Sequence, residues 1–246
     1  MDILIFVAIV LLASFFQGVT GFGQGLITAP VAFVLFDKAT ALTALIVAGI
    51  IINLYLLATI RSRLHVGTLV TLLIGAVPGL PIGILIARSV SLATLQLAVG
   101  VISIISAAAL VAYKVRVRRR SSYSVAAGFF SGVFQTSIGM SAPPVVLLLT
   151  EENTAKQTMR KLLPAYFLVI CLIAVVLFLP AKLLDAKGVI IGLMATPLII
   201  YGGHAGNDEA RRIKQRRYRM LVMVAVLATG LVAVYEGLSH YLSILD

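Results

Sequence analysis

Apolar, nearly uncharged runs about 20 residues long follow one another along this chain, and a run of that length crosses a hydrocarbon core of ~30 Å as one helix. They fall at 3–36, 39–60, 66–87, 91–113, 125–149, 162–181, 188–206 and 220–238. Inside a bilayer the backbone must satisfy its own hydrogen bonds, so runs of this kind become helices. None alternates with period two, which argues against a β-barrel. A water-facing globule carries about a quarter charged residues; here 12% of 246 residues are charged and 61% are hydrophobic. The chain therefore reads as an all-α, multi-pass integral membrane protein. Met1-Asp2 lacks the positive charge that opens a signal peptide, so the first apolar segment is expected to be retained. The one cysteine, Cys171, lies within a hydrophobic run, which leaves no internal disulfide and no cysteine-based metal site.

The two halves of the chain resemble each other. Phe15-Phe16-Gln17-Gly18-Val19 matches Phe129-Phe130-Ser131-Gly132-Val133 at an offset of 114 residues. At the same offset Gly25 falls on Gly139, Pro30 on Pro144, Asp37 on Glu151 and Thr40-Ala41 on Thr154-Ala155. Pro78 and Gly83 recur as Pro197 and Gly202 at an offset of 119. Matching glycines and prolines are harder to obtain by chance than matching leucines, so an internal duplication is inferred. The expected organisation is a first transmembrane repeat over 1–113, a basic cytoplasmic linker over 114–122 and a second transmembrane repeat over 123–246. Repeats of four segments are a common plan of secondary transporters.

Each half opens on an interrupted segment. Residues 3–36 as one straight helix would be ~50 Å long, too long for a single crossing. The middle of this stretch is Gln17-Gly18-Val19-Thr20-Gly21-Phe22-Gly23-Gln24-Gly25, and its counterpart runs from Phe134 to Pro144. Glycine and proline at this density break helices. Broken backbone at membrane depth persists only inside protein or beside a wet cavity. Loop charges favour a hairpin at each break. With eight crossings the Lys and Arg residues divide 9 to 11 between the two sides; with two re-entrant hairpins they divide 4 to 16. The positive-inside rule prefers the second arrangement. It makes the halves inverted repeats, puts the basic loops in the cytoplasm and brings the two breaks together near the midplane. Glycines four apart at 21/25, 79/83, 128/132, 188/192 and 202/206 suit close helix packing in lipid.

The breaks are also where binding chemistry is expected. A half-helix N-terminus presents free N–H groups and partial positive charge, which favour anions. The candidate substrate-binding residues are Gln17, Thr20, Gly21, Gly23, Gln24 and Gly25 in the first break, and Gln135, Thr136, Ser137, Gly139 and Ser141 in the second. Asn53, polar in the middle of 39–60, is added; it serves equally well as an interhelical hydrogen bond. No carboxylate falls deep within a span, so the usual carboxylate proton relay of pumps is missing. Movement down a gradient, or coupling through protonation of the substrate itself, is expected. The net charge of +11 sits between apolar blocks, which points to contact with anionic lipid headgroups and not to nucleic acid. No Walker A, HExxH or strand-linked GxGxxG pattern occurs, so no cofactor, no metal and no enzymatic activity is expected. Gly139-Met140-Ser141-Ala142 loosely resembles a serine nucleophile turn, with His204 as a conceivable base, which leaves an intramembrane serine hydrolase as a remote alternative.

With its duplicated four-segment unit and a Gly-rich stretch followed by proline at the head of each half, the chain resembles the TauE/SafE family of sulfite-exporter-like permeases. The residues that carry the resemblance are Gly18-Val19-Thr20-Gly21-Phe22-Gly23-Gln24-Gly25 with Pro30, and Gly132 through Gly139 with Pro143-Pro144. Where many members have three consecutive glycines, this chain has Gly21-Phe22-Gly23-Gln24-Gly25. The resemblance implies outward transport of a small anion (sulfite, a sulfonate or a related organic acid) across the cytoplasmic membrane of a prokaryote. An anion channel built on the same site is the alternative.

Overall fold

The computed structural model describes residues 2–112, 121–152 and 154–210, together with 231, 234, 235 and 238. The basic stretch 114–120 and most of the segment 220–238 lie outside these. The described residues form ten helices: α1 (Asp2–Thr20), α2 (Gln24–Leu35), α3 (Lys38–Thr59), α4 (Val66–Ser89), α5 (Leu92–Ala112), α6 (Ser121–Ile138), α7 (Ala142–Glu151), α8 (Lys156–Ala181), α9 (Ala186–Met194) and α10 (Thr196–Glu209). Helices α1, α3, α4 and α8 are each long and apolar enough to cross a membrane; α9 and α10 reach that length and apolarity only together, as a pair bent by 46° at Ala195. The bend departs from the single segment expected over 188–206. Pro197, in the first turn of α10, has no N–H to continue the helix and its ring crowds the preceding turn.

Both glycine-rich segments break as their composition requires. Gly21 and Gly23 take φ of +86° and +113°, and Gly139 takes +71°, left-handed values that side chains with a Cβ resist. After each break the chain turns back. The ring of Phe6 in α1 packs edge-on against Phe36, one residue past α2, with centroids 5.4 Å apart. In the second half, Ser121 and Ser124 at the head of α6 share a surface hollow with His65 and Thr68 at the head of α4. At the same end of the bundle, Ser62 donates to the Gln157 carbonyl at the head of α8, six residues beyond the end of α7. Each hairpin thus returns to the end it started from.

Helices α3 and α8, each the one that follows the broken pair, run antiparallel through the centre. Thr43 near the start of α3 donates to the Leu183 carbonyl just past the end of α8 at 3.0 Å. Lys161, early in α8, donates to the Leu57 and Ile60 carbonyls at the end of α3 at 2.7 and 2.8 Å. The halves also cap each other's kind of helix end alike. Lys38 donates to the Ala87 and Val90 carbonyls at the end of α4, and Lys156 to the Ala210 carbonyl at the end of α10. A cation there answers both the free carbonyls and the negative end of the helix dipole.

The halves are interlocked. The first helix of each packs along a helix of the other: α1 along α10, and α6 along α4. Glycines line both seams. Gly75, Gly79 and Gly83 of α4 face the Val125, Phe129 and Val133 carbonyls of α6, while Gly128 and Gly132 face those of Leu72 and Ala76. On the other seam Gly202 and Gly206 face the Leu11 and Phe15 carbonyls, and Gly18 faces that of Gly203. A methyl group on any of these eight would sit 1.9–2.6 Å from a backbone oxygen. Without a hydrophobic drive between helices in lipid, this backbone contact and its van der Waals packing are what hold such seams together.

Candidate functional site

The two breaks meet between α3 and α8 and enclose a cavity of about 40 Å³, room for about three waters at roughly 10–15 Å³ each. Its wall takes Gln17 from α1, residues 23–26 from the first break, Gln135 from α6 and residues 139–142 from the second break. Helix α3 contributes Leu45, Gly49 and Asn53, which share one face at four-residue spacing, and α8 contributes Phe167 and Cys171. The breaks touch directly: a methyl on Gly25 would lie 2.6 Å from the Gly139 carbonyl oxygen.

The polar groups divide into those already engaged and those open to a ligand. The backbone N–H of Gln24 donates to Gln17 Oε1 at 3.2 Å, and Gln17 Nε2 donates to Asn53 Oδ1 at 2.7 Å. Asn53 Nδ2 in turn donates to the Gly49 carbonyl at 2.7 Å. This chain of bonds ties the first break to α3 and fixes the orientation of both amides. Gln135 Nε2 is held loosely, donating only to Cys171 Sγ at 3.5 Å. Gln24 Nε2 has no partner, although the residue is only 4% exposed. Leaving a buried amide unsatisfied costs about 1–3 kcal/mol, so this donor is a free hydrogen-bonding group inside the cavity. Two helix N-termini open onto the same space, that of α2 at Gly23–Leu26 and that of α7 at Ser141–Ala142. First-turn N–H groups have no partner within their own helix. Pro143 and Pro144 supply none, so on α7 the donor nearest the cavity is that of Ala142.

The opposite, negative helix ends at the breaks are occupied. At the end of α1, Thr20 Oγ1 donates to the Phe16 carbonyl, the Gly21 N–H to that of Gln17 and an Arg160 guanidinium nitrogen to that of Gly18 at 3.0 Å. Arg160 also donates to Asn207 Oδ1 at 2.7 Å. At the end of α6, Gly139 N–H donates to the Gln135 carbonyl, Met140 N–H to that of Phe134 and Ser137 Oγ to that of Val133. Among the described residues, no lysine, arginine, aspartate, glutamate or histidine lines the cavity.

Of the residues expected to bind substrate, Gln17, Gly23, Gln24, Gly25, Asn53, Gln135, Gly139 and Ser141 come together here. Thr20, Gly21, Thr136 and Ser137 do not. The hydroxyls of Thr20 and Ser137 are turned back onto carbonyls of their own helices. Thr136 donates across the seam to the Leu80 carbonyl at 2.7 Å, and Gly21 backs onto Arg160. These groups cap and pack the broken helices. Leu45, Gly49, Phe167, Cys171 and Arg160 were not foreseen. Counting back four and eight residues from Asn53 along one helix face would have found Gly49 and Leu45. Phe167 and Cys171 sit in an apolar run with nothing to mark them. The serine–histidine pair that hydrolysis would need is not formed: His204 lies outside the cavity, with Nδ1 3.0 Å from the Tyr55 hydroxyl and Nε2 3.4 Å from Asp208. Among the described residues no cluster of His, Cys, Asp or Glu could hold a metal ion.

The family model described as sulfite exporter TauE/SafE matches residues 6–233. No curated protein matches the chain, and neither does any solved structure. A match that spans both halves, both glycine-rich breaks and the cavity between them shows that the chain belongs to the sulfite exporter TauE/SafE family.

Proposed function

We propose that the protein is a secondary transporter or facilitator that moves a small anion (sulfite, a sulfonate or a related organic acid) outward across the cytoplasmic membrane. The cavity between the two breaks is its binding site. The observation that carries this reading is the unpartnered Gln24 Nε2, buried in a cavity onto which two helix N-termini open. Donors without acceptors, backed by partial positive charge, are what an oxyanion needs in place of its hydration shell. Antiparallel α3 and α8 support the reading of the halves as inverted repeats, and the opposed hairpins support alternating access about the cavity. The basic loops then face the cytoplasm.

The test is counterflow of labelled sulfite in proteoliposomes, with sulfoacetate and other small acids as competitors. Saturable counterflow is expected. Gln24→Ala removes a hydrogen bond to a charged group, worth about 1.5–3 kcal/mol, so KM should rise on the order of 10- to 100-fold. Non-saturating conductance without counterflow would make the protein a channel. No flux of any of these anions through folded protein would remove the substrate class and leave the membrane fold standing.

A further inference from the structure

We infer that the cavity holds an anion bearing one negative charge, so that a diprotic oxyacid such as sulfurous acid is carried as hydrogen sulfite, with its proton, and not as the dianion. This rests on the transport reading above and adds to it a rule of charge.

Among the described residues the cavity wall carries no formal charge. Its electrostatic provision is the N-termini of α2 and α7, each equivalent to roughly half an elementary charge. Together they balance about one negative charge. The competing negative ends of α1 and α6 are bonded away from the cavity, that of α1 by Arg160. A dianion would therefore bring a second, unbalanced charge into a buried space lined by Leu26, Leu45, Met140 and Phe167, where unpaired charge is strongly disfavoured. The hydrogen-bonding groups agree. Gln24 Nε2 and the Gly25 and Leu26 N–H groups in the first turn of α2 serve the charged oxygens; the Gln24 N–H is already held by Gln17 Oε1. The side-chain oxygens of Ser141 and Gln135 are available acceptors for the hydroxyl hydrogen of a protonated oxyanion.

Proton movement follows. With no carboxylate or histidine lining the cavity, the substrate is the proton carrier, and export of hydrogen sulfite removes one proton per anion. The groups able to confuse a pH experiment are few among the described residues. Cys171 on α8 lines the cavity, and Arg160 on the same helix stands behind the first break. The cavity-lining residues of α1, α2, α3, α6 and α7 include no ionisable side chain.

The experiment is sulfite counterflow at fixed total concentration across the second ionisation of sulfurous acid, in wild-type protein and in Cys171→Ala. Methanesulfonate, a permanent monoanion, and sulfate, a permanent dianion over this range, serve as competitors. Above the second ionisation, KM expressed as total sulfite should rise tenfold per pH unit, while KM expressed as hydrogen sulfite stays constant. Methanesulfonate should compete equally at every pH, and sulfate at least tenfold more weakly. Gln135→Lys adds a positive charge and should turn the preference toward sulfate; if that variant does not fold, the wild-type pH profile decides. Saturable counterflow whose KM in total sulfite is flat or falls with pH, or sulfate competing as well as methanesulfonate, overturns the charge rule and leaves the transport reading intact. Absence of counterflow at every pH removes both.

Discussion

Alanine at Gly25 tests the meeting of the two breaks, because local propensity and tertiary structure assign opposite signs to it. Gly25 sits in the first turn of α2 with ordinary helical geometry, so its own backbone accepts alanine. Helix propensity alone favours the change by up to about 1 kcal/mol. The added methyl, however, would lie 2.6 Å from the Gly139 carbonyl oxygen, where ordinary contact begins at 3.4 Å. That oxygen is backbone, held in a break that is itself pinned by the Gly139 and Met140 N–H groups. The breaks must separate by about 0.8 Å, the difference between those two distances. Overpacking of this kind costs about 1–3 kcal/mol, which outweighs the propensity gain. Misplacement of binding groups by about 1 Å can cost on the order of 100-fold in rate. The control is Gly67→Ala on α4, where a methyl would meet nothing within 4 Å and propensity should act alone. Thermal unfolding in detergent and counterflow in proteoliposomes are the assays. The expected result is lower stability and at least tenfold weaker transport for Gly25→Ala, with Gly67→Ala neutral or stabilising on both. Matching gains for the two variants would refute the contact between the breaks and the site built on it.

Three further outcomes follow from the geometry. Arg160→Gln should impair transport and lower stability, and Arg160→Lys should rescue little, because one guanidinium reaches both the Gly18 carbonyl and Asn207 and an ammonium lacks that planar fork; full activity in the lysine variant would show that charge alone suffices. Single cysteines at Asp37 and Thr150, in a Cys171→Ser background, should label from opposite faces of the membrane, and same-face labelling would refute the paired hairpins. Partial burial pushes the Asp37 carboxyl up, but hydrogen bonds from the Thr40 hydroxyl and the Thr40 and Ala39 N–H groups, with Lys187 nearby, leave its pKa below the ordinary 3.8. A carboxyl shifted down stabilises the fold above its unfolded pKa and loses that contribution as pH falls through the folded value; Asp37→Asn should therefore flatten the stability profile below about pH 4 and leave its slope at neutral pH unchanged.

The sequence by itself determined the all-helical membrane class and the two breaks, because each follows from rules that act over one short stretch of chain; of the eight apolar segments it marked, four are single helices long and apolar enough to cross among the described residues. Twenty apolar residues must be helix in lipid whatever surrounds them, and Gly21, Gly23 and Gly139 announce left-handed backbone through composition alone. Loop charge is the sequence's argument for hairpins at the breaks, since the cost of moving lysine and arginine across a bilayer does not depend on the packing within it. Glycines four apart foretold close helix approach without naming the partners. That α4 pairs with α6 and α1 with α10, crossing the halves, was decided only in three dimensions, by which carbonyl ridge each glycine groove could accept. The same is true of the cavity. Thr20 and Ser137 carry the hydroxyls that a binding site invites, and Thr136 a third, yet a hydroxyl within a helix is a short step from a carbonyl one turn back, and the packing at Leu80 claimed the remaining one. Gln24 and Gln135 reach farther than their own turns can satisfy, and theirs are the cavity amides left without a strong partner. Leu45, Gly49, Phe167 and Cys171 joined them because α3 and α8 cross at that height, and a crossing point is a property of the assembled bundle that no single stretch of sequence contains.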